Sequence, residues 1–376
     1  MKAWRQIRIL KSLFVTTMVI FSLLTLAFAP STKAFSSSSC IEQVSSQINS
    51  LQSALDVSRA VSLATSSPKL QVAERGYSSS YGFISNNWSW DSNCRVTWEK
   101  VNVVFTLSNS TGFVGYASAV EDPALTSVTT VTLQGGPPSQ GQEITTSWAG
   151  YQFAGNADNT VSVWETIGQF TVPKAQPPTQ GCSNYCFVII WTGLTHDTTG
   201  TYIVQAGNED IINSLGGVDY ELGYEFYPTY NWYNCFPMGW YGDTVSVYVI
   251  NQDVNPGGNS ALYNIQVFDL TQNQGCTPVA GFNFGVMGIP HYGNFIVEAA
   301  AIPHTQNLYT LADFDPFSLT GNMYYSGSTR GIYTPYTNGW YTTITMQPCT
   351  TCPAEVQTGA VSSSNSFTST WVYSAT

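Results

Sequence analysis

Two side chains stand out for their setting. Gln205 lies in the run Tyr202-Ile203-Val204-Gln205-Ala206-Gly207, and Glu298 closes the run Asn294-Phe295-Ile296-Val297-Glu298. Each is a polar group in an apolar, strand-like stretch, which is costly unless it has a partner or a job. A carboxylate can act as general base on a bound water. A neutral amide can donate to the oxyanion that forms on an attacked carbonyl. Gln keeps that capacity at any acidic pH because it has no proton to gain. Glu, with an ordinary pKa of about 4.3, is a base suited to acid. One Gln and one Glu therefore suffice in principle for amide hydrolysis in acid, without a nucleophilic side chain. On residue type alone, a satisfied-core reading stands beside the catalytic one.

Other hydrolytic chemistries have little support. None of the three histidines, His196, His291 and His304, sits beside a GxSxG elbow. There is no HExxH helix. Paired Asp-Thr/Ser-Gly motifs are absent, and Asp243-Thr244-Val245 does not match one. The eight cysteines form an even set, which in an exported chain reads as disulfides rather than as nucleophiles or zinc ligands. Cys182/Cys186 and Cys349/Cys352 can close local loops, leaving Cys235/Cys276 and Cys40/Cys94 as the remaining pairs among many alternatives. No metal and no cofactor is expected.

The elements that must hold Gln205 and Glu298 are strands. Ile41 to Ala64 has helical spacing of its apolar residues. Val101–Val104 and Phe113–Ala117 read as strands around a turn at 109–112, and Asn87 and Asn109 begin glycosylation sequons. The Gly/Pro-rich stretch 135–141 is a linker signal. Beyond it, short alternating runs separated by Gly, Asn and Pro predict an all-β, antiparallel β-sandwich or jelly roll. In the run 220–226 the period of two puts Tyr220, Leu222, Tyr224 and Phe226 on a core face. Glu221, Gly223 and Glu225 go to the other face.

The N-terminus has a basic n-region, an apolar stretch from Leu13 to Ala29 and small residues at Ala27, Ala29 and Ala34. This predicts a signal peptide over 1–34 and a secreted protein, with an uncleaved anchor as the alternative. Charged residues are only 9% of the chain, with a formal net charge of −11. Removal of residues 1–34 deletes five bases and takes the charge to −16. A base-poor chain gains little positive charge in acid, so self-repulsion does little to unfold it there. This sign of charge disfavours nucleic acid as a partner.

The ordered motifs resemble the glutamic peptidases, or eqolisins. These are Ser147-Trp148-Ala149-Gly150, Gln169–Pro173, Trp191-Thr192-Gly193-Leu194, Ile203–Gly207, Tyr220–Pro228 and Phe295–Glu298. The resemblance covers most of residues 147–327. It implies a concanavalin/lectin-like jelly roll of two curved sheets and a secreted acid endopeptidase acting on polypeptides, insensitive to pepstatin. It singles out Gln205 and Glu298 as catalytic. It also implies that Trp148, Trp191 and Glu225 line the cleft or orient the pair. The chain departs from the family at Thr195, Asn294 and Ala299, where acidic residues are expected, and at Gly223, where an aromatic is expected. Gly223 should widen the cleft if its face lines it.

Family members are made as zymogens with a basic propeptide. Five of the seven remaining bases here lie before residue 140. Residues 35–140 are therefore expected to be an α+β prosegment held by charge attraction, or a permanent accessory domain, with the catalytic domain at 141–376. A monomer is the expected form. The competing functions are a lectin-like carbohydrate-binding module or glycoside hydrolase using Glu225 and Glu298, and an inactive cell-surface protein.

Overall fold

The computed structural model describes residues 38–372, except 111, 136–146, 159, 183, 197–201, 228–229, 238–239, 253–262, 279–289, 301–307, 326 and 348–353. The expected signal peptide, the linker and the Cys349/Cys352 pair lie outside the described residues. No described helix is long and apolar enough to cross a membrane.

Three helices come first: α1 (Ser38–Ala54), α2 (Val57–Ser66) and α3 (Pro68–Ala73). The single helix expected over 41–64 is broken, because Asp56 accepts a hydrogen bond from the Arg59 amide and caps a new helix. Strands β1 (Ser78–Trp90), β2 (Val96–Asn109), β3 (Gly112–Glu121) and β4 (Val128–Gly135) form a meander. Next come β5 (Trp148–Ala154), β6 (Glu165–Thr171), β7 (Ala175–Gln176), β8 (Tyr185–Thr195), β9 (Ile203–Asn213), β10 (Val218–Tyr227) and β11 (Tyr230–Pro237). Then follow β12 (Thr244–Asn251), β13 (Tyr263–Asp269), β14 (Gln274–Pro278), β15 (Tyr292–Glu298), β16 (Thr310–Leu311), β17 (Asp313–Phe314), β18 (Phe317–Tyr325) and β19 (Ser328–Gly331). The short helix α4 (Tyr333–Thr337), β20 (Tyr341–Ile344), β21 (Val356–Thr358) and β22 (Ser366–Trp371) complete the series.

Two large sheets pack face to face. The first runs β21-β22-β18-β6-β12-β13-β14-β1-β2-β3-β4, and the second β11-β10-β9-β8-β15-β5-β20. Their facing side chains form one core, including Val245, Val247 and Phe170 from the first sheet and Ile190, Val204, Phe295 and Tyr224 from the second. The expected all-β sandwich is the observed fold. Tyr220, Leu222, Tyr224 and Phe226 all point into this core, as the period of two requires.

The N-terminal strands are part of the sandwich. β1 pairs with β14 from Ser85/Pro278 to Ser89/Gln274, so the meander extends the first sheet. Phe83 and Tyr116 enter the main core beside Tyr224 and Tyr233. Trp88 packs 4.9 Å from Phe268 and lies over Gly275, where a Cβ would collide with its ring. α1 is tied to β13 and β14 by hydrogen bonds from side-chain amides: Asn264 donates to Asn49, and Gln52 to Thr277. Residues 39–376 make one compact unit. These contacts are a strand ladder, buried amides and rings rather than attraction between opposite charges.

Among the described residues the disulfides are Cys182–Cys186, the local loop that spacing suggested, and Cys40–Cys94 and Cys235–Cys276, which spacing had left among many alternatives. Asn87, the first expected sequon, is half-buried within β1. Its amide donates to the Cys235 carbonyl and its oxygen accepts from Asn102, so the side chain is already engaged.

Candidate active site

The site is built on the outer face of the second sheet, the face turned away from the main core. Side chains alternate along each strand, so the register assembles that face in rows. One row reads Glu221, Glu209, Ile189, Glu298, Trp148 across β10, β9, β8, β15 and β5. The next reads Gly223, Gly207, Trp191, Ile296, Gly150. A third reads Glu225, Gln205, Gly193, Asn294, Gln152. All five residues expected at the site therefore share one face.

Gln205 and Glu298 stand on β9 and β15, two strands apart and two rows apart. At ordinary sheet spacing their Cα atoms are about 10 Å apart across the strands and about 14 Å along them, four residues of rise. Trp191 stands between them on β8. Each member of the pair is clamped. The Trp191 indole N–H donates to Glu298 Oε2 at 2.6 Å, and Gln205 Nε2 donates to Glu225 Oε2 at 2.5 Å. Trp148 packs edge-on against Trp191 with ring centroids 5.1 Å apart. Both tryptophans are fully buried, so neither offers a surface to a ligand in this structure, and Trp191 holds Glu298 from below. Among the polar atoms of this face buried without a hydrogen bond are Gln205 Oε1, Trp148 Nε1 and Trp232 Nε1.

The electrostatics differ from the expectation of an ordinary Glu. Burial, and then the neighbouring charge of Glu225, hold the Glu298 carboxyl well above the usual range. The Trp191 bond pulls the other way, and Trp148 adds a weaker pull without full hydrogen-bond geometry. Glu209 is pushed up to about 8 by burial and by Glu221, Glu225, Asp210 and Glu298. Glu221 is also raised, by burial and Asp219, and it accepts a bond from Asn234. Several carboxyls in one dry patch cannot all ionise, so the patch retains protons.

The family departures resolve into three situations. Thr195 and Asn294 meet: Asn294 donates to Thr195 Oγ1 at 3.1 Å, and Gln152 donates to Asn294 Oδ1 at 3.0 Å. A neutral network fills the place expected for acidic groups. Ala299 faces the main core and is not a site residue. Gly223 does not widen the cleft as expected. Trp232 of β11 lies over it, with Nε1 2.5 Å and Cε2 2.7 Å from where a Cβ would stand.

Glu209 was legible as a site-facing residue, being four residues after Gln205 on one strand. Trp232 was not, because its position depends on a register shift between β10 and β11 at Leu222/Gly223. Among the described residues no group of three metal-ligating side chains converges.

No curated protein matches the chain. Among solved structures, scytalido-glutamic peptidase bound to a peptide-based transition-state analog has a TM-score of 0.45 and 15% identity, covering 60% of this chain and 98% of that one. SCP-B, an eqolisin in complex with the tripeptide Ala-Ile-His, has a TM-score of 0.43 and 14% identity over 60% and 98%. Aspergilloglutamic peptidase from Aspergillus niger has a TM-score of 0.39 and 24% identity over 50% and 99%. Residues 146–371 match the family model of the Peptidase A4 family, and the chain accordingly belongs to that family, the glutamic peptidases.

Proposed function

We propose that this peptidase is a secreted endopeptidase that cleaves polypeptides in acid with Gln205 and Glu298. The observation that carries this reading is the paired clamp. Trp191 fixes one carboxylate oxygen of Glu298 and Glu225 fixes the amide of Gln205, while Gln205 Oε1 is left unpaired. In the unliganded site a water held by Gln205 Oε1 and the Glu298 carboxylate satisfies that orphan acceptor. Glu298 takes a proton from the water as it attacks the scissile carbonyl. The free N–H of the Gln205 amide donates to the developing oxyanion. Glu298 then passes the proton to the leaving nitrogen and is regenerated as carboxylate. The cycle requires Glu298 as the carboxylate, and the Trp191 N–H favours that ionised form against the burial that raises its pKa. The carbohydrate reading rested on the same two carboxylates and has no support comparable to the peptidase family.

Residues 35–140 serve, on this reading, as a permanent accessory segment. The ladder between β1 and β14 and the burial of Phe83 and Tyr116 support that choice over a removable prosegment. N-terminal sequencing of the secreted form tests it: a start between residues 30 and 40 is expected, and loss of everything before residue 140 would refute it.

The function itself is tested by digesting casein from acidic to neutral pH with the parent and with Glu298→Gln. The parent should cleave only in acid, in the presence of pepstatin, and the variant should be inactive. Full activity of Glu298→Gln would overturn the mechanism.

A further inference from the structure

Trp232 occupies the space that Gly223 leaves, and its indole lies on the bare backbone of β10. The ring packs against the apolar group formed by Trp148, Ile189, Trp191, Ile203 and Ile296, so it belongs to the outer face of the second sheet. Its N–H is buried and has no hydrogen-bond partner. A buried, unpaired N–H donor is costly and calls for an acceptor. In the same row, Gly207 is flanked by Gly223 with its covering Trp232 on one side and by Trp191 on the other. Gln205 and Glu209 stand on β9 two residues to either side of Gly207, on the same face. The row therefore holds a side-chain-free floor between two indoles, next to the catalytic amide.

We infer that Trp232 is a substrate-binding residue. Its indole N–H donates to a backbone carbonyl of the bound polypeptide on the Gln205–Glu225 side of the scissile bond. This rests on the Gln205/Glu298 reading of the site and adds to it a contact supplied from β11, where the family resemblance led one to expect an aromatic from β10.

The test uses full-length protein. Binding of an uncleaved oligopeptide to Glu298→Gln is compared with binding to Glu298→Gln/Trp232→Phe, which keeps a ring and loses the N–H. Hydrolysis by Trp232→Phe is measured in parallel. The expected result is about three- to tenfold weaker binding and a matching rise in KM, with kcat changed by less than about twofold. Gly223→Ala, which displaces the indole by its added methyl, should weaken binding in the same direction. It should add nothing further on the Trp232→Phe background. Unchanged peptide binding by both variants, with native circular dichroism, would overturn the role of Trp232 and leave the catalytic pair standing. Full hydrolysis by Glu298→Gln would overturn both.

Discussion

At the scale of single residues, the proposed mechanism relies on two weak groups held rigidly instead of one strong nucleophile. Trp191 donates to Glu298 and so favours its carboxylate, whereas the charge of Glu225 disfavours it. The signs give a pair of opposed predictions for the acid limb of kcat/KM, which reports the base in the free enzyme. Glu225→Gln removes the repulsion and lowers the Glu298 pKa, so the limb should move to lower pH. Trp191→Phe removes the bond to Oε2, so the limb should move to higher pH, with activity lowered about tenfold or more. Shifts in the same direction for both variants would contradict this electrostatic account. Gln205→Ala should lower kcat by about 10²–10³, the usual effect of losing an oxyanion donor. Gln205→Glu, by contrast, would add a further carboxyl to an already crowded acidic patch.

At the scale of elements, the strands act as a ruler. Gln205, Gly207 and Glu209 share a face of β9 only because the strand is regular. Gln205 meets Glu225 only because β9 and β10 pair with Gln205 opposite Glu225. Glycine lets the strands come this close. At Gly207 a Cβ would collide with the Ile190 carbonyl and stand 2.8 Å from Trp191 Cα. Gly207→Ala should therefore push β8 from β9, costing about 1–3 kcal/mol of stability, and disturb the Trp191–Glu298 bond. A thermal melt together with a casein assay checks both effects. A stable variant with normal activity would show that the sheet absorbs the methyl elsewhere.

For the whole molecule, the unusual feature is the number of carboxyls held protonated. Burial raises Glu121 to about 7, Glu209 to about 8 and Asp269 to about 6, and lifts Asp210 well above its ordinary value. A carboxyl with a raised folded-state pKa binds more protons folded than unfolded. Its contribution is complete below the unfolded value of about 4 and is lost as pH rises through the folded value. Asp122 works oppositely: its pKa is lowered to about 2 by bonds from Thr126 and Ser127, so its contribution fades only in strong acid. The melting temperature should therefore be highest near pH 4 and fall by several degrees by pH 8. A melting temperature that rises over that range would contradict the burial assignments. The accessory segment is a second matter at this scale. A chain starting at residue 147 would expose the β14 edge that β1 covers, and unpaired edges invite aggregation. It should express in insoluble form, while the chain from residue 35 should be soluble.

The sequence by itself determined the fold class, the core-facing set of β10 and the local Cys182/Cys186 loop, and its ordered motifs nominated Gln205 and Glu298. These are local or ordered features: a period of two, cysteine spacing and motifs in a fixed order along 147–327. Tertiary structure decided everything that depends on which strand lies beside which. The placement of Trp232 over Gly223, the meeting of Thr195 with Asn294, and the pairing of β1 with β14 involve residues far apart in the chain or across a register shift. So does the elevated proton affinity of the site, because it arises when carboxyls from β9, β10 and β15 are brought into one dry patch. Distance along the chain carries no information about such encounters; the hydrogen-bond ladder between strands creates them.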